Sequence, residues 1–221
     1  MKTVFLLALI LGFGGTLAGA HFAPWLEHAR LPSHTSVVAN GGRGEDFLIR
    51  LPADRIAATD GEAGGLRARG AGAAMLLPAQ FVAEPLLVEH FKVRDSAGSV
   101  VGVAARHWNG GGADPTTTWS VLIPSRGALV LSGPGEARGA LEGALRTGGY
   151  SAGEAWGGQI AVPMIGEGEG AVTAGTGEFE GLSGSYTESW TVAAVDEDGR
   201  VSGTIELTAA LITCVHRTGH S

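Results

Sequence analysis

The chain has 221 residues, of which 37 are glycine, and 15 basic and 22 acidic residues give it a formal net charge of −7. The glycines follow no three-residue period, which excludes a collagen-like protein. The basic residues form no stripe, which excludes the charged surface of most nucleic-acid-binding domains. The single cysteine, Cys214, excludes an internal disulfide, so packing and hydrogen bonding must stabilise the fold.

The chain begins with an apolar segment that follows one lysine. Lys2 precedes an uncharged run over residues 3–26, and about 20 apolar residues span a bilayer core. The pattern Ala18-Gly19-Ala20 is also typical of a signal-peptidase site, so a retained anchor and a cleaved leader both remain open. We expect a retained anchor over residues 1–26 that displays the body on the extracytoplasmic, periplasmic side. With cleavage, the body would be secreted or periplasmic.

The apolar segment also carries a stripe of small residues. Small residues at four-residue spacing let membrane helices approach closely, where van der Waals contact drives their association. The stripe therefore predicts packing against other membrane subunits, with the lipid bilayer as a further partner. It consists of Gly12, Gly15, Thr16, Gly19 and Ala20.

The remaining chain alternates short apolar strands with glycine-containing turns. Residues 27–85 are predicted to be a juxtamembrane linker with a first strand at 47–51, residues 86–215 a β domain, and residues 216–221 a tail. Further strands are predicted at 86–94, 99–108, 116–123, 127–132, 159–165, 170–174, 183–195 and 201–212. Ala137, Leu141 and Leu145 share one face of a short helix. This pattern predicts a mainly β sandwich or closed barrel.

One glycine-rich segment resembles a known signature. Residues 173–184 read Thr-Ala-Gly-Thr-Gly-Glu-Phe-Glu-Gly-Leu-Ser-Gly, which is similar to the G-T-G-x-F-x-G-x-x-G signature of the allene oxide cyclase and dirigent proteins. The hairpin at 91–102 is similar to the first hairpin of that superfamily. The resemblance covers roughly residues 86–210 and implies an eight-stranded antiparallel barrel. The segment lacks the Gly-Lys-Ser/Thr of a phosphate loop, so we assign its glycines to a sharp corner where backbone passes close to backbone.

Strand alternation predicts two carboxylates inside the barrel. In one strand Glu89 shares a face with Phe91, and in another Glu188 lies between Tyr186 and Trp190. An ionised carboxylate among apolar groups is costly unless it is paired. These five residues therefore form the candidate interior site, in which the three aromatic side chains line a ligand pocket.

The candidate chemistry has three interpretations. An enzymatic interpretation assigns acid–base roles to Glu89, Glu188 and His107, because His107 aligns with Val101 and Val103 on a face expected to point inward. A structural interpretation has the glutamates bonded to backbone at the rim of a barrel that its own side chains fill. The third interpretation is ligand binding without chemistry.

These patterns lead to one expected function and two alternatives. We expect a non-catalytic, membrane-anchored accessory subunit of a larger membrane complex, for which an energy-transducing assembly is one candidate host. Its anchor and barrel loops would contact the other subunits. The alternatives are an exported, cofactor-independent cyclase or isomerase that acts on a lipophilic substrate, and a carrier of a small apolar ligand. No cofactor or metal site is predicted, because Cys214 and the scattered histidines lack the spacing of zinc ligands.

Overall fold

The structure is a computed structural model that describes residues 36–38, 42–59, 86–109, 115–135, 137–197 and 199–213. The predictions for the anchor at 1–26, its small-residue stripe and the tail at 216–221 lie outside these residues. Within the described part of the chain, no helix is both long enough and apolar enough to cross a membrane.

The described residues form ten strands, one α-helix and one short 3₁₀ helix. The strands are β1 Ser36–Val38, β2 Gly42–Leu51, β3 Arg55–Thr59, β4 Leu86–Arg94, β5 Val100–Asn109, β6 Thr116–Ile123, β7 Gly127–Pro134, β8 Trp156–Gly175, β9 Leu182–Val195 and β10 Val201–Thr213. The α-helix is α1, Ala137–Thr147, and the 3₁₀ helix is Gly177–Phe179.

Eight of the strands close into an antiparallel barrel. Neighbouring strands follow the order β2-β10-β9-β8-β7-β6-β5-β4, and β2 pairs with β4 at Leu48 and Arg94 to complete the ring. β1 and β3 extend the edges of β2 and β4. Closure removes the exposed edges of an open sheet. The predicted eight-stranded antiparallel barrel is therefore confirmed.

The first wall strand of the barrel is broken into two parts. β2 and β3 run in the same direction, since both are antiparallel to β4. β2 pairs with β10 along its length. After a turn at residues 52–54 the chain continues as β3, which pairs with β4 and with no other described strand. The break turns the side chain of Arg55 into the barrel, where it is buried. This wall strand lies within residues 27–85, where the sequence predicted a linker and first strand.

An ion cluster closes one end of the barrel, and we call it the plug. Arg126, from the β6–β7 turn, donates hydrogen bonds of 3.1 and 2.6 Å to the two carboxylate oxygens of Glu45 and one of 3.1 Å to Glu178. Arg43 pairs with Glu45 at 2.9 Å. The guanidinium carbons of Arg43 and Arg126 lie 5.0 and 5.1 Å from the centre of the Phe179 ring. We call the opposite end, where α1 connects β7 to β8, the helix end.

The glycine-rich signature segment forms a corner beside the plug. Gly177 has φ +63, and a Cβ on it would overlap the carbonyl oxygen of Arg126. A Cβ on Gly127 would likewise overlap the carbonyl oxygen of Thr176. Only glycine permits this approach of two backbones, so the predicted sharp corner is confirmed.

β8 differs from the sequence prediction. Residues 159–165 and 170–174 were expected to be two strands, but they belong to the single strand β8. Its pairing with β9 shifts between Ile165 and Gly170, and the amide of Gly166 donates to the carboxylate of Glu169 at 2.8 Å inside the bulge. The prediction of two strands is wrong because a bulge interrupts side-chain alternation without ending a strand.

Candidate functional site

The helix-end half of the barrel interior contains four buried charged side chains, Arg55, Glu89, Arg106 and Glu188, which we call the interior charge cluster. Their exposed fractions are 6%, 2%, 7% and 1%. Apolar side chains alone can fill a small barrel, and apolar replacement of buried ion pairs is often neutral or stabilising. Stability alone therefore gives little reason for this cluster, which makes it the candidate site.

Glu89 of β4 connects the two arginines. Arg55 donates from Nη2 to one carboxylate oxygen at 2.7 Å. The Nη1 atom of Arg106 lies 3.7 Å from the other oxygen. Glu89 and Arg106 are direct partners in the β4–β5 ladder, so the hairpin itself brings these opposite charges together.

Glu188 of β9 accepts hydrogen bonds from two tryptophans. The indole nitrogen of Trp119 donates to one carboxylate oxygen at 2.8 Å, and that of Trp190 donates to the other at 2.7 Å. Arg106 lies 3.9 Å away through Nη2. Every one of these partners is a donor, so both oxygens of Glu188 act as acceptors.

Arg106 lies between the two indole rings and has a donor atom that no described acceptor satisfies. Its guanidinium carbon is 4.9 Å from the ring centre of Trp190 and 5.6 Å from that of Trp119, which is a cation–π geometry. Its carboxylate distances of 3.7 and 3.9 Å exceed hydrogen-bonding range. Its Nε atom is buried and has no hydrogen-bond partner among the described residues.

Tyr186 supplies a second buried donor. Its hydroxyl also lacks a partner within the described part of the chain. Burial raises the pKa of Tyr186 well above its usual range, and the charge of Glu188 raises it further against the opposing effect of Arg106. The hydroxyl lies 3.0 Å from where a Cβ on Gly133 would be, and Gly133 pairs with the buried Thr117 across the β6–β7 ladder. The neutral phenol thus reaches the wall at the helix end.

Five of the six candidate site residues face the interior as predicted. Glu89, Phe91, Tyr186, Glu188 and Trp190 are all buried on the faces that alternation predicted. The Phe91 ring centre lies 5.7 Å from that of Trp119. The catalytic and ligand-pocket roles proposed for these residues stay predictions.

His107 is the exception. It lies on the outer face of β5, where it is exposed, so its expected convergence with Glu89 and Glu188 is wrong. Arg106 takes the interior position instead. The sequence contained a signal for this, because the turn at 95–99 fixes a hairpin register that places Arg106 directly opposite Glu89.

An open groove of about 410 Å³ lies beside the same part of the wall. Gly133 lines it together with Pro115, Pro134 and Glu169. Gly133 therefore borders both the groove and the Tyr186 hydroxyl. The groove thus lies at the helix end, beside the part of the wall that the Tyr186 hydroxyl reaches.

The solved structures that are similar to this chain include a dirigent protein and a Diels-Alderase. No protein-family model matches the sequence, and no curated protein matches it. The chain is similar to a pterocarpan synthase dirigent protein, with a TM-score of 0.40 and 11% identity over 79% of this chain and 96% of that one. It is also similar to AbnU, an exo-specific intermolecular Diels-Alderase, with a TM-score of 0.31 and 12% identity over 74% of this chain and 92% of that one. The strand order itself establishes the barrel.

Proposed function

We propose that the helix-end half of the barrel binds a small, largely apolar molecule that carries a hydrogen-bond acceptor. The observation that carries this proposal is the pair of buried donors, the Tyr186 hydroxyl and Arg106 Nε, that lack partners among the described residues. A buried polar group without a partner costs about 1–3 kcal/mol, and native proteins retain few of them. A bound acceptor would satisfy these donors.

The surroundings of the two donors suit an apolar ligand. Phe91, Trp119, Trp190 and Ile165 are fully buried nearby and supply apolar surface, and ligand pockets typically combine such walls with a few polar groups. The plug occupies the opposite end of the barrel. The ligand would therefore approach from the helix end.

Binding without proton transfer suits the site better than acid–base catalysis. Donors already occupy both oxygens of Glu188, and Arg55 occupies one oxygen of Glu89. The glutamates therefore orient Arg106 and the indoles, which favours the ligand-carrier alternative. In the cyclase or isomerase alternative, Tyr186 and Arg106 would stabilise negative charge that develops on the acceptor of a lipophilic substrate.

The test is a titration of the full chain with Nile red, a neutral dye with a carbonyl acceptor. We expect saturable binding, and we expect Tyr186→Phe to weaken it at least about tenfold, or about 1.4 kcal/mol. The same variant should keep or gain stability against urea, because it removes an unsatisfied buried hydroxyl. Tyr150→Phe, at the other tyrosine of the chain, is the matched control and should bind like the wild type. Absence of binding, or equal binding by Tyr186→Phe, would contradict the proposal.

We propose a second role for the whole chain, in which the barrel is a membrane-anchored accessory subunit on the extracytoplasmic side. The uncharged run at residues 3–26 supports it. The small-residue stripe would contact a neighbouring membrane helix, and a tethered barrel gains from effective concentration at the same complex. Intact-mass analysis of the native protein tests this role. Retention of residues 1–20 is expected, and a native chain that starts at His21 and is monomeric in solution would overturn it.

A further inference from the structure

We infer that the occupant of the barrel is a neutral carbonyl compound and that the matching ionised carboxylate is excluded. This inference rests on the proposed function and narrows the class of its ligand. It depends on the balance of buried charge and on the fact that two buried donors, the Tyr186 hydroxyl and Arg106 Nε, have no acceptor among the described residues.

The buried charges of the described residues already compensate one another. In the interior charge cluster, Arg55 pairs with Glu89 at 2.7 Å, and Arg106 lies between the carboxylates of Glu89 and Glu188. Two positive groups therefore face two negative groups. An anionic ligand would add a charge without a counterion, and an uncompensated buried charge is costly.

The other buried charges offer no spare cation. In the plug, Arg126 pairs with Glu45 at 2.6 Å. In the wall, Asp54 pairs with Arg94 at 2.7 Å. Every buried arginine among the described residues therefore already has a carboxylate neighbour, and none is left to pair with an anionic ligand.

The two unpartnered atoms assigned to the ligand, the Tyr186 hydroxyl and Arg106 Nε, can both donate hydrogen bonds. The Tyr186 hydroxyl stays protonated because burial and Glu188 raise its pKa. The Nε atom of Arg106 is buried and has no hydrogen-bond partner among the described residues. A carbonyl oxygen has two lone pairs and needs only such donors. A carboxylate would bring a second charged oxygen toward Glu188, which lies two residues from Tyr186 on the same face of β9.

Two dyes that share one ring system test the inference. The first is 6-propionyl-2-(dimethylamino)naphthalene, a neutral ketone, and the second is 6-(dimethylamino)-2-naphthoate, a carboxylate. We expect the full chain to bind the ketone at least about tenfold more tightly at pH 7. The carbonyl stretch of the ¹³C-labelled ketone should move to lower frequency on binding, and Tyr186→Phe should abolish the part of this shift that comes from the hydroxyl.

Charge variants provide the second arm of the test. Glu89→Gln leaves the cluster with one excess positive charge, so we expect the ketone-to-carboxylate affinity ratio to fall at least about fivefold. Glu188→Gln should change the ratio in the same direction. Glu142→Gln, in an exposed ion pair on α1, is the matched control and should leave the ratio unchanged. Because the ratio compares two dyes on one preparation, partial loss of folded protein does not alter it.

The outcomes separate the inference from the proposed function. Equal or tighter binding of the naphthoate by the wild type would overturn the neutral-ligand inference while the ligand-binding barrel stands. Binding of the ketone with no carbonyl shift that depends on Tyr186 would also overturn the inference. Binding of neither dye, together with no binding of Nile red, would overturn both.

Discussion

At the scale of single residues, Glu188 brings three buried side chains together inside the barrel. It accepts the indole hydrogens of Trp119 and Trp190 and faces Arg106. Neutralising it would leave the guanidinium with only one neighbouring carboxylate, that of Glu89. The penalty for breaking a buried ion pair exceeds the net stabilisation that the pair provides.

Glu188→Gln therefore tests whether the interior charge cluster depends on charge balance. We expect it to lower the free energy of unfolding by about 3–5 kcal/mol, measured by urea denaturation followed through tryptophan fluorescence. Glu142→Gln breaks the exposed pair between Glu142 and Arg146 and should cost no more than about 0.5 kcal/mol. Equal costs for the two variants would contradict this account of the cluster.

The sequence predicted the interior faces of two strands but not of β5. Glu89 and Glu188 each lie among aromatic neighbours, and this pattern identified their faces. In β5 the inward side chains are small or charged, and the outward set of Val101 and Val103 looks more apolar. Alternation alone therefore chose the wrong face, since the charge of Arg106 is compensated by residues that are distant in sequence.

At the scale of elements, the turn between β2 and β3 ties the broken wall strand to β4. The guanidinium of Arg94 donates to both carboxylate oxygens of Asp54, at 2.8 and 2.7 Å, and the amide of Arg50 donates to the same carboxylate at 2.8 Å. The carbonyl of Asp54 accepts the amide of Lys92 at 2.7 Å. β2 shares only one ladder pair with β4, so this clasp reinforces the seam of the barrel.

The clasp should make stability depend on pH. Burial opposes the charge on Asp54, but its hydrogen bonds from Arg94 and Arg50 outweigh burial and lower its pKa. The clasp is therefore fully stabilising above the unfolded-state pKa of about 3.9 and is lost as the pH falls through the lower folded-state pKa. We expect Asp54→Asn to cost about 1.5–3 kcal/mol at pH 7 and progressively less below pH 4, measured by urea midpoints.

Asp46→Asn is the control for the clasp, because Asp46 is exposed on β2 and accepts one hydrogen bond, from Thr208. It should change stability by no more than about 0.5 kcal/mol at either pH. A cost of Asp54→Asn that is the same at pH 7 and pH 3 would contradict the assigned role of the carboxylate.

α1 offers a test of helix propensity against packing. Leu141 and Leu145 are fully buried, whereas a Cβ added at Gly143 would meet nothing within 4 Å. Gly143→Ala should therefore raise the free energy of unfolding by about 0.5–1 kcal/mol, seen as a higher melting temperature. Gly148→Ala should raise it less, since a Cβ at Gly148 would have to displace the terminal methyl group of Ile160. The opposite order of the two variants would contradict the packing described for α1.

At the scale of the whole molecule, the two ends of the barrel have different roles. The plug is an ion cluster with a bidentate pair and stacked arginines, and it closes one end. The helix end carries the Tyr186 hydroxyl and Arg106 Nε, the two donors assigned to the ligand. Stability and ligand binding should therefore be separable by position.

Glu45→Gln tests this separation. Glu45 is 4% exposed and pairs with two arginines, so its neutralisation should cost about 3–5 kcal/mol in urea denaturation. The affinity of the folded fraction for Nile red should not change, because Glu45 lies in the plug. Glu206→Gln, on the exposed face of β10, should affect neither quantity by more than about 0.5 kcal/mol. A parallel loss of affinity and stability in Glu45→Gln would contradict the separation of the ends.

The sequence predicted the wall strands of the barrel more completely than the pairing that closes it. Hairpin turns and the signature at residues 173–184 are local signals, and they identified most of the wall. Closure depends on β2 and β3, which pair with strands distant in sequence. No local pattern marks such a pairing, so the break at residues 52–54 and the inward turn of Arg55 were not predicted.

The two indoles that donate to the carboxylate of Glu188 are an intrinsic spectroscopic probe of the interior. Both rings lie within a few ångströms of a guanidinium and one anionic group, so a change in the local electric field should perturb their near-ultraviolet transitions together. Binding of a ligand at the Tyr186 hydroxyl and Arg106 would then be readable from native absorbance and dichroism alone, with no added chromophore.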